Sequence, residues 1–347
     1  MNCCQDSKKN IILADCEKEE ITDLAEGMAE VLKNQFTIKS KICNGEHGGF
    51  SNIKRYIIYA LYPLGTLLRR NQYEYIFGWQ QFFALFFAFY CKLFRLKKVN
   101  VVVAINFTYK NKKGLLGKIY NRFMKYCVDN KYLDYIHVPS WNYAKICSKT
   151  FGVPEEKFIV TPFGLPDTYE KWKNSKVEYN DYSFSIGRSN RDFDFLVEAW
   201  KKMPSTELLV IASDSYKPGA DLPNNVIHRT DIGGDAQFPY IANCKMMIIP
   251  IEDGSICSGD TVLLKAMSYE KPVVVTEPST LAEMYIDNGV DGILTPKKTD
   301  RFCCILQTYI FNESQLKRLG CAARSKYIER FSRRSMGENL AKAVNGK

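Results

Sequence analysis

Histidine is scarce in this sequence: there are three in 347 residues. A histidine-built metal centre therefore has few ligands to draw on. The opening stretch, MNCCQDSKKNIILAD, lacks the apolar segment of a signal peptide. Twelve cysteines are present but no C-x-x-C pair, and a disulfide framework does not suit a chain of this length. Reduced thiols in a cytosolic protein are the expectation. Neither G-x-G-x-x-G nor a P-loop lysine motif occurs, which removes the main sequence support for nicotinamide or ATP binding. Long apolar runs are missing too. The uncharged run from Ile76 to Cys91 has 16 residues, short of the about 20 that span a bilayer. Acidic residues are nearly absent from one region, with only 3 against 17 basic residues in positions 51–150.

That imbalance locates the net charge of +10 in the N-terminal half. Residues 1–165 hold 24 basic and 14 acidic residues, and residues 166–347 hold 24 of each. A basic field attracts nucleic acid, anionic lipid or a diphosphate. The same region is apolar and aromatic. YIIYALYPLGTLL (56–68) lies between Lys54-Arg55 and Arg69-Arg70, and FFALFFAFYCKLF (82–94) is followed by Arg95, Lys97 and Lys98. Apolar helices with basic ends suit a peripheral protein on an anionic membrane face. They also suit two core helices with solvated ends.

Strand-like and helix-like segments alternate. NIILAD, YEYIFGW, VNVVVAIN, YIHVPS and KFIVTPFG read as strands of a parallel α/β domain over 1–165. PDTYEKWKNSKVEYND (166–181) reads as a polar linker. YSFSIGR, ELLVIAS, NVIHR, KMMIIPI, PVVVTE and GILTP then give a second α/β domain over 166–325, and 326–347 a closing helix able to pack back on the first domain. Two doubly wound domains in tandem are expected to face each other across a cleft, ligands binding at the carboxyl ends of the strands.

Two turns stand out. In SFSIGRSNRDFDFLVEAW, Gly187 ends a strand, and Arg188 and Arg191 precede a helix. Guanidinium groups so placed can neutralise a diphosphate through forked hydrogen bonds. In SGDTVLLKAM, Ser258, Gly259, Asp260 and Thr261 open a helix after the strand KMMIIPI. Amide groups and the dipole at a helix start favour phosphate. Gly259 allows close approach, and Ser258 and Thr261 add hydroxyls. Asp260 either caps the helix or meets the ligand. Asp192-Phe193-Asp194 is a D-x-D, but it opens a helix, where acidic residues are favoured without a metal. His137 and His228 fall in strands and read as structural. His47, in NGEHGGF, is a candidate catalytic residue at a loop facing the acceptor.

The segment GDTVLLKAMSYEKPVVVTEPSTLAEMYIDNGVDGIL resembles the donor-site signature of glycosyltransferase family 4, the group 1 enzymes of GT-B fold. Ala266-Met267, Lys271-Pro272-Val273-Val274, Glu283, Asp287 to Gly289 and Gly292 match it in order. The resemblance covers roughly residues 130–335, and residues 1–130 match only in layout. It implies transfer of a sugar from a UDP- or GDP-linked donor to a glycan, on a lipid diphosphate carrier, in bacterial polysaccharide synthesis. It also implies retention of anomeric configuration, no cofactor and no metal. Expected partners are the nucleotide-sugar, the lipid-linked or glycan acceptor and an anionic membrane at the inner face of the plasma membrane; nucleic acid is not expected. One departure matters. Many family members carry two glutamates, on donor sugar and ribose, where this chain has Cys257 and Lys265. Sugar and ribose contacts then fall to Asp260, Lys265 and Glu283. Lys265 could meet a phosphate, pair with Glu277 or Glu283, or stay solvated. A GT-B nucleotide-sugar epimerase and a degenerate glycan-binding subunit are the alternatives.

Overall fold

A computed structural model describes residues 8–42, 49–219, 221–255 and 258–346, without the side chains of 49–53. The chain forms two compact units: Met1–Pro166 with Arg333–Lys347, and Asp167–Ser332.

The first unit is built on six parallel strands: β1 (Lys9–Ala14), β2 (Phe36–Ser40), β3 (Tyr73–Gly78), β4 (Val101–Ala104), β5 (Tyr135–Val138) and β6 (Phe158–Val160), in the order β2-β1-β3-β4-β5-β6. The inner strands β1 and β4 are near-continuous apolar runs because both faces are covered, whereas the edge strand β2, FTIKS, is only partly buried. Side chains alternate between faces. Ile11, Leu13, Ile76 and Val102 point into a core shared with Phe83, Phe87 and Met124. Ile12, Phe77 and Val103 point into a second core with Leu24, Met28, Met336 and Leu340.

That second core contains the end of the chain. The helix Arg333–Asn345 lies against Thr22–Leu32, and glycine sets the distance. A Cβ on Gly337 would stand 2.2 Å from the Leu24 carbonyl oxygen, and one on Gly27 would stand 2.3 Å from that of Arg334. Arg333 anchors the entry, donating to the carbonyls of Gly164 (3.1 Å) and Glu20 (2.9 Å), with its guanidinium 4.5 Å from the centre of the Trp79 ring. The preceding segments, helix Glu313–Lys326 and Tyr327–Phe331, belong to the second unit. Gly337→Ala must push two backbones apart and is expected to destabilise the first unit by about 1–3 kcal/mol. Thermal unfolding checks this, and an unchanged melting temperature would contradict the packing.

The second unit carries β7 (Tyr182–Ile186), β8 (Leu208–Ala212), β9 (Val226–Arg229), β10 (Met246–Ile249), β11 (Val273–Glu277) and β12 (Ile293–Pro296), all parallel, in the order β12-β11-β10-β7-β8-β9. Counted within the unit this is the 3-2-1-4-5-6 order of a doubly wound sheet, which reverses between β7 and β10. The two turns singled out in the sequence leave the carboxyl ends of those two strands.

Candidate functional site

At the reversal point Gly187 follows β7, and Gly259 precedes the helix Asp260–Ser268. Both flank one side chain. A Cβ on Gly187 would lie 2.8 Å from Arg191 Nε, and one on Gly259 would lie 2.6 Å from Arg191 Nη2. Gly259 also holds φ +102°, a conformation other residues rarely adopt. Two glycines therefore make the slot in which the Arg191 guanidinium lies. Its Nη1 donates to the carbonyls of Ser189 and Asn190, both at 3.2 Å, and its buried Nε–H has no partner among the described residues. Burial lowers its pKa to about 10, with the charge of Asp260 opposing. It stays cationic at neutral pH. The start of the Asp260–Ser268 helix adds its own positive potential. An incompletely paired guanidinium beside a helix N-terminus, with the Asp260 carboxylate as its near charge, is a place that favours an anion.

Arg188 is placed differently. Its guanidinium pairs with Asp214 at 2.9 Å and its side chain is 77% exposed. It sits on the rim of a cavity of about 500 Å³ lined by Gly187, Ser213, Asp231, Gly233, Gln237 and Val262, among others. That volume is in the range of small-ligand sites. Another cavity, about 400 Å³ and lined by Lys245 and Lys271, lies where β10 and β11 begin. Doubly wound sheets bind at the opposite end.

Asn190, which sequence reasoning missed, joins the two turns. Its Nδ2 donates to the Asp253 carbonyl (3.0 Å) and to Ser258 Oγ (3.1 Å), and its Oδ1 accepts the Asp253 N–H at 2.7 Å. Its φ of +55° is one that asparagine tolerates better than most residues. Ser258 is thereby held against the arginine turn. Asp260 Oδ1 accepts the Thr261 N–H at 2.9 Å, and Thr261 is exposed.

Lys265 is half-buried, its ammonium 5.1 Å from the centre of the Phe238 ring. Burial lowers its pKa, and the carboxylate opposing that is Asp235, not Glu277 or Glu283. Glu283 is exposed on the helix Thr280–Tyr285 and is not part of the cavity lining. His47 and Cys257 lie outside the described residues. His137 is buried, its Nδ1 accepting the Asn106 N–H (3.1 Å) and its Nε2 facing Thr161. His228 Nε2 lies 2.8 Å from the Ser213 carbonyl oxygen. Asp192 caps its helix by accepting the Phe195 N–H and pairs with Lys297, while Asp194 accepts the Tyr216 hydroxyl. Among the described residues no three His, Cys, Asp or Glu side chains cluster as around a metal ion.

Residues 182–307 match the family described as "Glycosyl transferases group 1". The match spans both turns and the cavity. No curated protein matches the sequence. Among solved structures the chain is similar to HepE of Anabaena in complex with UDP and glucose, at 15% identity and TM-score 0.58, over 98% of this chain and 100% of that one. It is similar to a glycosyltransferase of Rickettsia africae, at 12% identity and TM-score 0.62, over 98% and 100%. It is also similar to WaaG, a glycosyltransferase of lipopolysaccharide biosynthesis, at 14% identity and TM-score 0.54, over 97% and 100%. The two six-stranded parallel sheets are those of the GT-B fold.

Proposed function

We propose that this chain is a glycosyltransferase of family 4 type. Its second unit holds the diphosphate of a UDP- or GDP-linked sugar against Arg191, the rim arginine Arg188 and the first amides of the Asp260–Ser268 helix. The nucleoside enters the cavity beside Gly233, and the first unit takes a glycan acceptor on a lipid diphosphate carrier. The sugar is transferred with retention, in bacterial polysaccharide synthesis. The observation that carries the donor site is the Arg191 guanidinium, slotted between Gly187 and Gly259 with its Nε–H unpartnered. The solved complexes of HepE with UDP and UDP-glucose support the uridine diphosphate reading.

The chemistry follows from where charge develops. As the glycosidic bond to the donor breaks, negative charge grows on the leaving diphosphate. Fixed donors already aimed at that position stabilise it without reorganising. Arg191 supplies a cation held by its own turn, and Ser258, held by Asn190, supplies a hydroxyl. These groups act in place of a metal ion.

Thermal-shift titration with UDP, GDP and their sugars tests donor binding, since a ligand of the folded state raises the melting temperature. A uridine or guanosine diphosphate sugar is expected to stabilise the protein, and its turnover is expected to need a glycan acceptor. Turnover is also expected to persist in EDTA. Loss of activity in EDTA, restored by Mn²⁺ or Mg²⁺, would reassign Asp192 and Asp194. Epimerisation of the donor without acceptor would contradict the transferase reading.

A further inference from the structure

Between Tyr75 and Val128 the sequence has ten lysines and arginines and no aspartate or glutamate. Two helices share this region and differ in what they bury. Gln81–Leu93, the more apolar in sequence, is a core element, with Phe82, Phe83, Leu85 and Phe87 buried. It is not the lipid-facing element its composition suggests. The helix Gly114–Val128 buries Gly117, Met124, Cys127 and Val128 on one face. It leaves Leu115, Leu116 and Ile119 in solvent, 78%, 82% and 60% exposed. Single exposed aliphatic residues are ordinary, but three within five residues, ringed by exposed Lys112, Lys113 and Lys118, form a patch that calls for a partner.

The support beneath the patch is fixed. The Tyr109 N–H donates to the Tyr143 hydroxyl at 2.8 Å. Asn121 accepts the Lys112 N–H and donates to the Lys112 carbonyl oxygen, at 3.2 and 2.9 Å. A Cβ on Gly117 would lie 2.5 Å from that same carbonyl oxygen, so the strap packs directly on the helix. The Lys112 ammonium lies 4.2 Å from the centre of the Tyr120 ring.

We propose that the first two turns of the helix Gly114–Val128 dock the protein on an anionic bilayer, with Leu115, Leu116 and Ile119 entering the acyl boundary and Lys112, Lys113 and Lys118 meeting lipid phosphates. Charge selects this occupant: the patch is apolar at its centre, basic around it and free of carboxylates within the Tyr75–Val128 stretch, the composition of an interfacial helix. Among the described residues no helix is long and apolar enough to cross a membrane, so the contact is a surface one. The inference extends the lipid-linked acceptor of the proposed function, and its test is separate.

The test is co-sedimentation of the full chain with phosphatidylglycerol-containing and pure phosphatidylcholine vesicles across a salt series. Each lysine near an anionic surface is worth about fivefold in partitioning, and each aliphatic side chain entering the acyl boundary roughly tenfold. Wild type is expected to bind anionic vesicles, more weakly as salt rises. The triple variant Leu115→Ser, Leu116→Ser, Ile119→Ser is expected to lose at least about a hundredfold in partitioning. Leu68→Ser, at an 84% exposed leucine on the helix Gly49–Leu68, is expected to bind as wild type. The proposal is overturned if wild type stays in the supernatant, if the triple variant binds unchanged, or if Leu68→Ser is the variant that loses binding. It is equally overturned if sizing shows that the triple variant abolishes self-association of a protein that ignores vesicles. Nucleotide thermal shifts on the same samples separate the two readings. Vesicle binding lost with the shift intact bears on docking alone, and the reverse bears on the donor site alone.

Discussion

Arg191→Ala is expected to lower kcat/KM for the nucleotide-sugar by roughly tenfold to a hundredfold, because a hydrogen bond to a charged group is worth about 1.5–3 kcal/mol. The loss should appear together with an unchanged or higher melting temperature. In the free protein the guanidinium is largely buried, has an unpartnered Nε–H and lies beside a helix N-terminus. Removing such a group relieves a desolvation cost and gives up only the two Nη1 hydrogen bonds to the Ser189 and Asn190 carbonyls inside its own turn. A residue that merely supported the fold would show the opposite pattern. Arg188→Ala is expected to have the smaller effect, since its guanidinium is mostly solvated and its pair with Asp214 is an exposed one. Arg191→Lys keeps the charge and loses the fork, so it should fall between wild type and alanine. Initial rates against donor concentration, with melting curves on the same preparations, check all three. Unchanged kinetics for Arg191→Ala would remove the diphosphate from this slot.

The strands and the two turns were legible because their signals are local. KMMIIPI and PVVVTE are apolar runs, and they appear as β10, Met246–Ile249, and β11, Val273–Glu277. Gly187 and Gly259 read as room for a ligand, and what lies against both in the structure is the Arg191 side chain. Asn190 was not legible as a latch: its partners Asp253 and Ser258 are 63 and 68 residues away, and nothing local states that pairing. The Gln81–Leu93 helix was misleading for a different reason. An apolar helix reads alike whether protein or lipid covers it, and only the packing of Phe83 and Phe87 against the sheet decides. The Gly114–Val128 helix was overlooked because its patch is three residues in a lysine-rich stretch. For Lys265 the sequence offered Glu277 or Glu283 as partners, whereas Phe238 and Asp235 come from a helical segment that nothing local links to it.

Acid is expected to destabilise the first unit through His137, well before exposed carboxylates are titrated. The imidazole is 1% exposed between β4 and β6. Its Nδ1 accepts the Asn106 N–H, so the neutral ring carries its proton on Nε2, toward the Thr161 carbonyl oxygen at 3.1 Å. A second proton would have to go on Nδ1, facing another donor in a site without water-like screening. Burial accordingly lowers the pKa from 6.5 to about 4. The unfolded chain therefore binds a proton between those values that the folded chain refuses. Stability is fully present above about pH 6.5 and is lost as pH falls toward 4, by roughly 3 kcal/mol. His137→Gln should lower stability at pH 7, where it forfeits at least one buried hydrogen bond. It should also flatten the slope between pH 6.5 and 4, because the amide does not titrate. Urea unfolding of wild type and variant at half-unit steps of pH measures both. Parallel slopes for the two proteins would show that His137 is not the group that titrates.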